Sequence, residues 1–531
     1  MNRRDALIGL TASAAAAMTP VPSRAAAGPV VTTAAGRVSG QMKGGVQVFL
    51  GLRYGQDTGL RRFQPPVKPE PWKDIAAADH YGKAAPQPGA PDPWGQSEDC
   101  LFLNVWTPEA SPKKLRPVMF YIHGGAYSGG SGGDALYDGT NLALRGDVVV
   151  VTVNHRLNVF GYLYLARLEK QAGGDRTLAY SGNCGQLDLH MALEWVRDNI
   201  RNFGGDPNCV MVFGQSGGGA KIATMMATLQ ARGLFHRAVT MSGQQVTASG
   251  PGNATVRTLA CLKTLGLGTD ADALAKLRTL PVADLVAALK TTDPVIGKGG
   301  VYMGPVLDET VLFRHPFWPD APEQSRAIPM IIGNTHDETR AFLSGNPKNY
   351  TLTWDELPGR LPDDYRIDID PYLVVETYRK LYPQMSPSDV FFAATTAGRS
   401  WRGAVEELEA RARQGAPTWT YQVNFRAPTD PVKYGAPHTV DIPLAFHNTQ
   451  VPYVYMKDTP DARAMADILS DAFIAFARTG SPQTAALPEW KPYSLDKRET
   501  MLMDVKPELA SDPRGDERRL FAKVPFIQQG T

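Results

Sequence analysis

Residues 213–219 read FGQSGGG and set one hydroxyl, Ser216, among four glycines. A serine hydroxyl is a poor nucleophile near neutral pH, so chemistry here requires a base for its proton and donors for the oxyanion its attack creates. G-x-S-x-G between a buried strand and a helix forms a nucleophile elbow, with the serine in a strained backbone conformation and glycines admitting neighbouring turns. The apolar run before the motif and AKIATMMATLQARG after it supply that context. Upstream, IHGGAY from Ile122 follows another apolar run, where an oxyanion loop of the HGGG type belongs. The backbone N–H groups of Gly125 and Ala126, with that of Gly217 after the serine, are assigned to the oxyanion hole.

These groups need a rigid frame. VMFYIHGG from Val118, DVVVVTVNHR from Asp147, VMVFGQSG from Val210 and IPMIIGN from Ile328 are short apolar runs rich in β-branched residues, the pattern of strands buried on both faces of a parallel sheet. Between the second and third, Leu189, Ala192, Leu193, Val196 and Ile200 recur at helical spacing. Strands alternating with helices predict an α/β fold with a mixed, mostly parallel sheet. The segment GRVSGQMKGGVQVFLGLRYG predicts an N-terminal β-meander, and the proline-rich residues 83–96 a surface loop. Residues 249–301 and 344–406 predict helical insertions over one end of the sheet.

Composition bounds the function. The 531 residues are 43% hydrophobic and 20% charged, enough for a large core and unlike a disordered chain. A net charge of +2 without a long Lys/Arg run lacks the footprint of a nucleic-acid binder and favours a small ligand. Cys100, Cys184, Cys209 and Cys261 show no metal spacing, and no disulfide scaffold is expected. Arg3 and Arg4, an apolar stretch to Met18, and Ala25 and Ala27 predict a twin-arginine signal peptide over 1–27, leaving 28–531 as one exported domain, periplasmic or extracellular. No later stretch approaches the roughly 20 apolar residues of a membrane span.

Beyond the signal, the chain resembles the type B carboxylesterase family, which includes the cholinesterases. The likeness rests on FLGLRYG at Phe49, SEDCLFLNVWTP at Ser97, HGGAYSGGSG at His123, VNHRLNVFGYL at Val153, the GNCGQLDLH segment at Gly182, and FGQSGGG. It implies an α/β-hydrolase fold with a helical cap and a Ser-Glu-His triad in that chain order. GNTHDETRAF at Gly333 matches the acid motif and selects Glu338 over neighbouring Asp337 and distant Asp308. GAPHTVDIPLAFHN at Gly435 selects His438 as base, with His447 expected to be a packed side chain and His123 to hold the oxyanion loop. The resemblance also implies a buried Arg62–Glu98 ion pair. Two departures stand out. Most relatives read G-E-S-A-G, whereas this chain has Gln215 and Gly217, and no cysteine between the signal and Cys100 is available to pair with it.

The expected activity is that of a secreted serine carboxylesterase needing neither cofactor nor metal, acting on small to medium neutral esters through an acyl-enzyme on Ser216. Without a carboxylate at position 215, choline-like esters should be poor substrates. Amide, thioester or lipid substrates would use the same triad; a silent binding homologue would usually have lost a triad member. Tyr127, Trp94 and the aromatics near Phe342 are candidate pocket walls, although core packing accounts for them equally well and Trp94 is as readily an anchor of its loop on the core.

Overall fold

The computed structural model describes residues 28–89, 93–528 and 530; the expected signal peptide lies outside these residues. Its strands are β1 (Val30–Thr32), β2 (Arg37–Ser39), β3 (Gln41–Lys43), β4 (Val46–Arg53), β5 (Ile75–Ala77), β6 (Phe102–Thr107), β7 (Arg116–Ile122), β8 (Val149–Val153), β9 (Gly205–Gln215), β10 (Arg237–Met241), β11 (Met330–Thr335), β12 (Thr418–Val423), β13 (Glu499–Met503) and β14 (Glu508–Ser511). Eleven of them form one sheet in the order β14-β13-β12-β11-β10-β9-β7-β8-β6-β4-β3. Its middle, from β13 to β8, is parallel, and antiparallel pairs flank it on both sides. This is the mixed, mostly parallel sheet that the alternation of apolar runs and helices predicts, in the α/β-hydrolase form that the family resemblance implies.

The main helices are α1 (Cys184–Asn199), α2 (Gly217–Met226), α3 (Pro251–Thr264), α4 (Ala271–Leu277), α5 (Val282–Ala288), α6 (Pro371–Leu381), α7 (Pro387–Thr396), α8 (Arg402–Gln414) and α9 (Pro460–Thr479). Alternate residues of a strand face opposite sides. In β7, Val118, Phe120 and Ile122 pack with Leu189 and Leu193 of α1 and Leu408 of α8, while Met119 and Tyr121 pack with Leu469 and Phe473 of α9. Both faces are covered, which is why the central strands read as unbroken apolar runs.

The predicted meander is instead divided. β2 pairs with β1 on one side and with β5 on the other in a separate three-stranded sheet, whereas β3 and β4 form the edge hairpin of the large one. Alternating short runs mark both hairpins alike and carry no record of which sheet each joins. The two helical insertions appear as expected. α3–α5 and α6–α7 have apolar clusters of their own, separate from the two layers on the sheet.

Candidate active site

The oxyanion loop follows β7, Ser216 follows β9, Glu338 follows β11 and His438 follows β12. In a parallel sheet all four lie at one carboxyl edge, where ligands of α/β proteins bind. Ser216 joins β9 to α2 at φ 55° and ψ −123°, a conformation that costs an L-residue of order 1–3 kcal/mol and persists only where its surroundings enforce it. The Ser216 N–H donates to Met241 O on β10 at 2.7 Å. The glycines let the turn close: a Cβ at Gly218 would stand 1.9 Å from Ile122 O, and one at Gly217 would stand 2.1 Å from Ala126 O. Gly217 therefore does more than tolerate the loss of the usual alanine; its bare Cα is what the oxyanion loop packs against.

His438 Nδ1 lies 2.5 Å from Glu338 Oε2, with both side chains buried. Glu338 Oε1 accepts from Thr335 N–H at 2.9 Å and faces Asn334 Nδ2 at 3.4 Å. Burial by itself would raise the Glu338 pKa, but the charge and hydrogen bond of His438, with the bond from Thr335 N–H, outweigh it and hold the carboxyl below the usual glutamate range. An ionised Glu338 fixes the proton on Nδ1 and leaves Nε2 as acceptor. Gln215 Nε2 lies 3.1 Å from that nitrogen. Among the described residues, His438 Nε2 is thus met by the Gln215 amide, while Ser216 Oγ opens onto the cavity beside it.

Gly125 and Ala126 take left-handed φ values of 83° and 51°, and their N–H groups donate to no acceptor among the described residues. Gly217 is the first residue of α2, so its N–H is one of the helix's orphan donors. His123 Nδ1 bonds Gly124 O at 2.9 Å and the ring stacks on His155. Burial, then the charge of Lys221, lowers His123 to about 3 and keeps it neutral. Sequence reasoning missed Lys221. From the second turn of α2 its fully buried ammonium donates to Ala126 O at 2.8 Å and to His123 O at 3.3 Å, and burial pulls its pKa down to about 7. Only the structure shows that a lysine five residues after the serine reaches back to the oxyanion loop.

These groups open into a cavity of about 590 Å³. Tyr127 and Phe342 line it as expected, and Phe342 packs 4.9 Å from the His438 ring. Trp94 does not; it packs on Tyr81 and reaches Gly133 O, anchoring the proline-rich loop. Arg366, Arg399 and Gln528 also line the cavity, and no local motif announced them. The remaining candidates lie elsewhere. Asp337 accepts from Ala436 N–H at 2.9 Å and ties the acid loop to the histidine loop. Asp308 caps a turn through the N–H groups of Thr310, Val311 and Leu312. His447, half-buried, bonds Asp467 at 2.8 Å, so it is a hydrogen-bonding side chain and not simply a packed one. Arg62 and Glu98 form a buried two-point pair at 2.7 and 2.5 Å, and all four cysteines are free.

A strained serine elbow, a His-carboxylate pair and a left-handed glycine loop at the carboxyl edge of a mostly parallel sheet define an α/β-hydrolase. The model of the Carboxylesterase family matches residues 27–520, and the chain belongs to that family. It is 34% identical to the para-nitrobenzyl esterase of Bacillus subtilis, across 92% of this chain and 98% of that one. It is 32% identical to the fumonisin B1 esterase of Sphingopyxis macrogoltabida, across 91% and 87%. A solved carboxylesterase from Geobacillus stearothermophilus superposes with a TM-score of 0.81 at 34% identity, covering 93% of this chain and 99% of that one. The protein is accordingly a carboxylic ester hydrolase. No helix among the described residues is long and apolar enough to cross a membrane.

Proposed function

We propose that this chain is an exported serine carboxylesterase in which Ser216 is the nucleophile, His438 the general base and acid, and Glu338 the carboxylate that orients the imidazole. The observation that carries the reading is that Ser216, His438, Gly125, Ala126 and Gly217 line one cavity, with Glu338 bonded to the buried side of the histidine. In the first half-reaction His438 Nε2 takes the Ser216 proton as Oγ attacks the ester carbonyl. The three N–H groups hold the oxyanion, and Glu338 stabilises the imidazolium. The tetrahedral intermediate collapses, the C–O bond to the alcohol breaks, and His438 returns the proton to the leaving alkoxide. Water then repeats the sequence on the acyl-enzyme and releases the acid. For the first proton transfer Gln215 yields the Nε2 lone pair to Ser216, a tightening common on substrate binding.

A cavity of about 590 Å³ suits small to medium esters. With Gln215 on its floor in place of a carboxylate, cationic esters are disfavoured. Residues 1–27 act as a twin-arginine signal cleaved near Ala27, and 28–531 fold as one α/β-hydrolase domain, periplasmic or extracellular. Hydrolysis of p-nitrophenyl acetate, butyrate and octanoate by the mature protein and by Ser216→Ala tests the mechanism. Turnover is expected to fall at least 10³-fold in the variant; retention of activity would place the nucleophile elsewhere.

A further inference from the structure

One side of the cavity is closed by chain that lies beyond the family match, which ends at residue 520. Past that point the side chains alternate. Phe526 packs inward, Ile527 is 52% exposed, Gln528 is buried in the cavity wall and Gly530 is buried two residues further on. A period of two is that of an extended segment with one face covered. With Ile527 in solvent and its neighbour Gln528 in the wall, a single thickness of chain separates the cavity from water here.

This strap is tied to both helical insertions. Phe526 pairs with Ile367 in an antiparallel bridge, and the Ile527 N–H donates to Arg366 O at 2.8 Å. The Arg366 N–H in turn donates at 3.1 Å to Gly398 O, within a π-turn over Ala397–Trp401 that brings Arg399 and Ser400 into the wall. Such turns are uncommon and recur at functional sites. The Phe526 ring lies against Gly403 of α8, where an added Cβ would stand 3.0 Å from it. Gln528 Oε1 accepts from the Val246 N–H at 3.0 Å. Gly530 O accepts from Arg257 of α3 at 2.8 Å, a buried guanidinium that is also paired with Asp293 at 2.7 Å. Gly530 itself, at φ 87°, backs onto the ring of Tyr302, which also lines the cavity; a Cβ there would stand 2.1 Å from that ring.

We propose that this strap sets the length of ester that the cavity admits, with Gln528 as the specificity-determining residue at which a substrate chain stops. The proposal rests on the serine esterase reading and deepens it. An alkyl chain pushed past Gln528 would have to break its bond to Val246 and leave a main-chain N–H facing hydrocarbon without an acceptor, a cost that a shorter chain avoids. The strap cannot move aside readily, because its two ends are fixed on different insertions, by the Arg366 and Ile367 backbone on one and by Arg257 on the other.

The test compares kcat/KM ratios, which a general loss of folded enzyme leaves unmoved. p-Nitrophenyl octanoate over butyrate reads the acyl side, and octyl acetate over butyl acetate in a pH-stat reads the alcohol side. In Gln528→Ala at least one ratio is expected to rise about tenfold, the yield of roughly two further buried methylenes. Gln528→Met, which keeps the reach of the side chain, should stay within about threefold of wild type. Both ratios unchanged in a folded Gln528→Ala overturn the proposal, as does an equal rise in Gln528→Met. Should Gln528→Ala not fold, Gly530→Ala decides. Its Cβ must push the strap off Tyr302, so the same ratio should rise, and unchanged ratios would again overturn the proposal. Ser216-dependent hydrolysis of p-nitrophenyl butyrate with unmoved ratios would remove the role of the strap alone; no Ser216-dependent hydrolysis of any ester would remove the serine esterase reading and the proposal with it.

Discussion

Gln215 stands where the G-E-S-A-G motif of the resembled family has glutamate, and its amide sits 3.1 Å from His438 Nε2, the nitrogen proposed to take the serine proton. A neutral amide adds no electrostatic support to an imidazolium, whereas a carboxylate there would favour the protonated ring. Gln215→Glu is therefore expected to move the acid limb of the kcat/KM profile to higher pH, since the base acts only when neutral, and to improve cationic esters relative to neutral ones. A pH profile for p-nitrophenyl butyrate checks the first point; an unmoved limb would show that the amide does not act through His438. In the wild-type protein butyrylcholine should turn over more slowly than a neutral ester of equal size. The three residues proposed as the triad were legible in the sequence because each follows a strand within a distinctive local motif. Lys221 was not, since the sequence gives its distance from Ser216 along the chain but not the turn of α2 that folds its ammonium back onto Ala126 O.

At the scale of elements, α2 both presents the serine and holds the oxyanion loop through that lysine. Lys221→Met is expected to lower kcat about tenfold or more with a smaller effect on KM, because loose oxyanion donors lose transition-state rather than ground-state binding. Its stability effect has a definite sign. With a folded pKa of about 7 against 10.5 for an ordinary lysine, the unfolded chain binds more protons between those values, so the wild-type lysine becomes less costly as pH rises. The melting temperature of Lys221→Met relative to wild type should accordingly decline from pH 7 to pH 10; a flat difference would contradict the burial argument. The connection after β8 is tied to α1 by Arg156 and Asp188, a buried pair with bonds of 2.6 and 2.9 Å. Asp188→Ala leaves Arg156 charged and alone, and should destabilise the protein by about 3–5 kcal/mol in urea unfolding. The central strands and α1 were legible because two-sided burial writes an unbroken apolar run. The division of the N-terminal hairpins between two sheets was not, because short strands do not encode their partners. Nor was the π-turn that delivers Arg399, since one inserted residue leaves no period to detect.

Across the whole molecule, the cavity wall is assembled from segments distant in sequence, including Tyr302, Arg366, Arg399 and Gln528. Function class was therefore readable from the motifs, while the polarity of the pocket emerged only on folding. A second network underlies that wall. Tyr127 donates to Gln245 Oε1 at 2.9 Å, and the Gln245 N–H donates to Glu407 Oε1 at 2.7 Å, leaving Glu407 Oε2 without a partner among the described residues. Burial raises Glu407 from 4.5 to about 8. The folded protein thus keeps a proton that the unfolded chain releases, and stability falls by about 1.4 kcal/mol per pH unit between those values. Glu407→Gln should melt above the wild type at pH 8, with the gap closing toward pH 5; an equal gap at both would show that Glu407 is not the titrating group. The most direct test of the account as a whole is mass spectrometry of the mature protein after diisopropyl fluorophosphate, followed by peptide mapping. One phosphoryl adduct on Ser216, rising in step with the loss of esterase activity, is the predicted result. Inactivation with the adduct on another residue, or full activity with Ser216 modified, would contradict it.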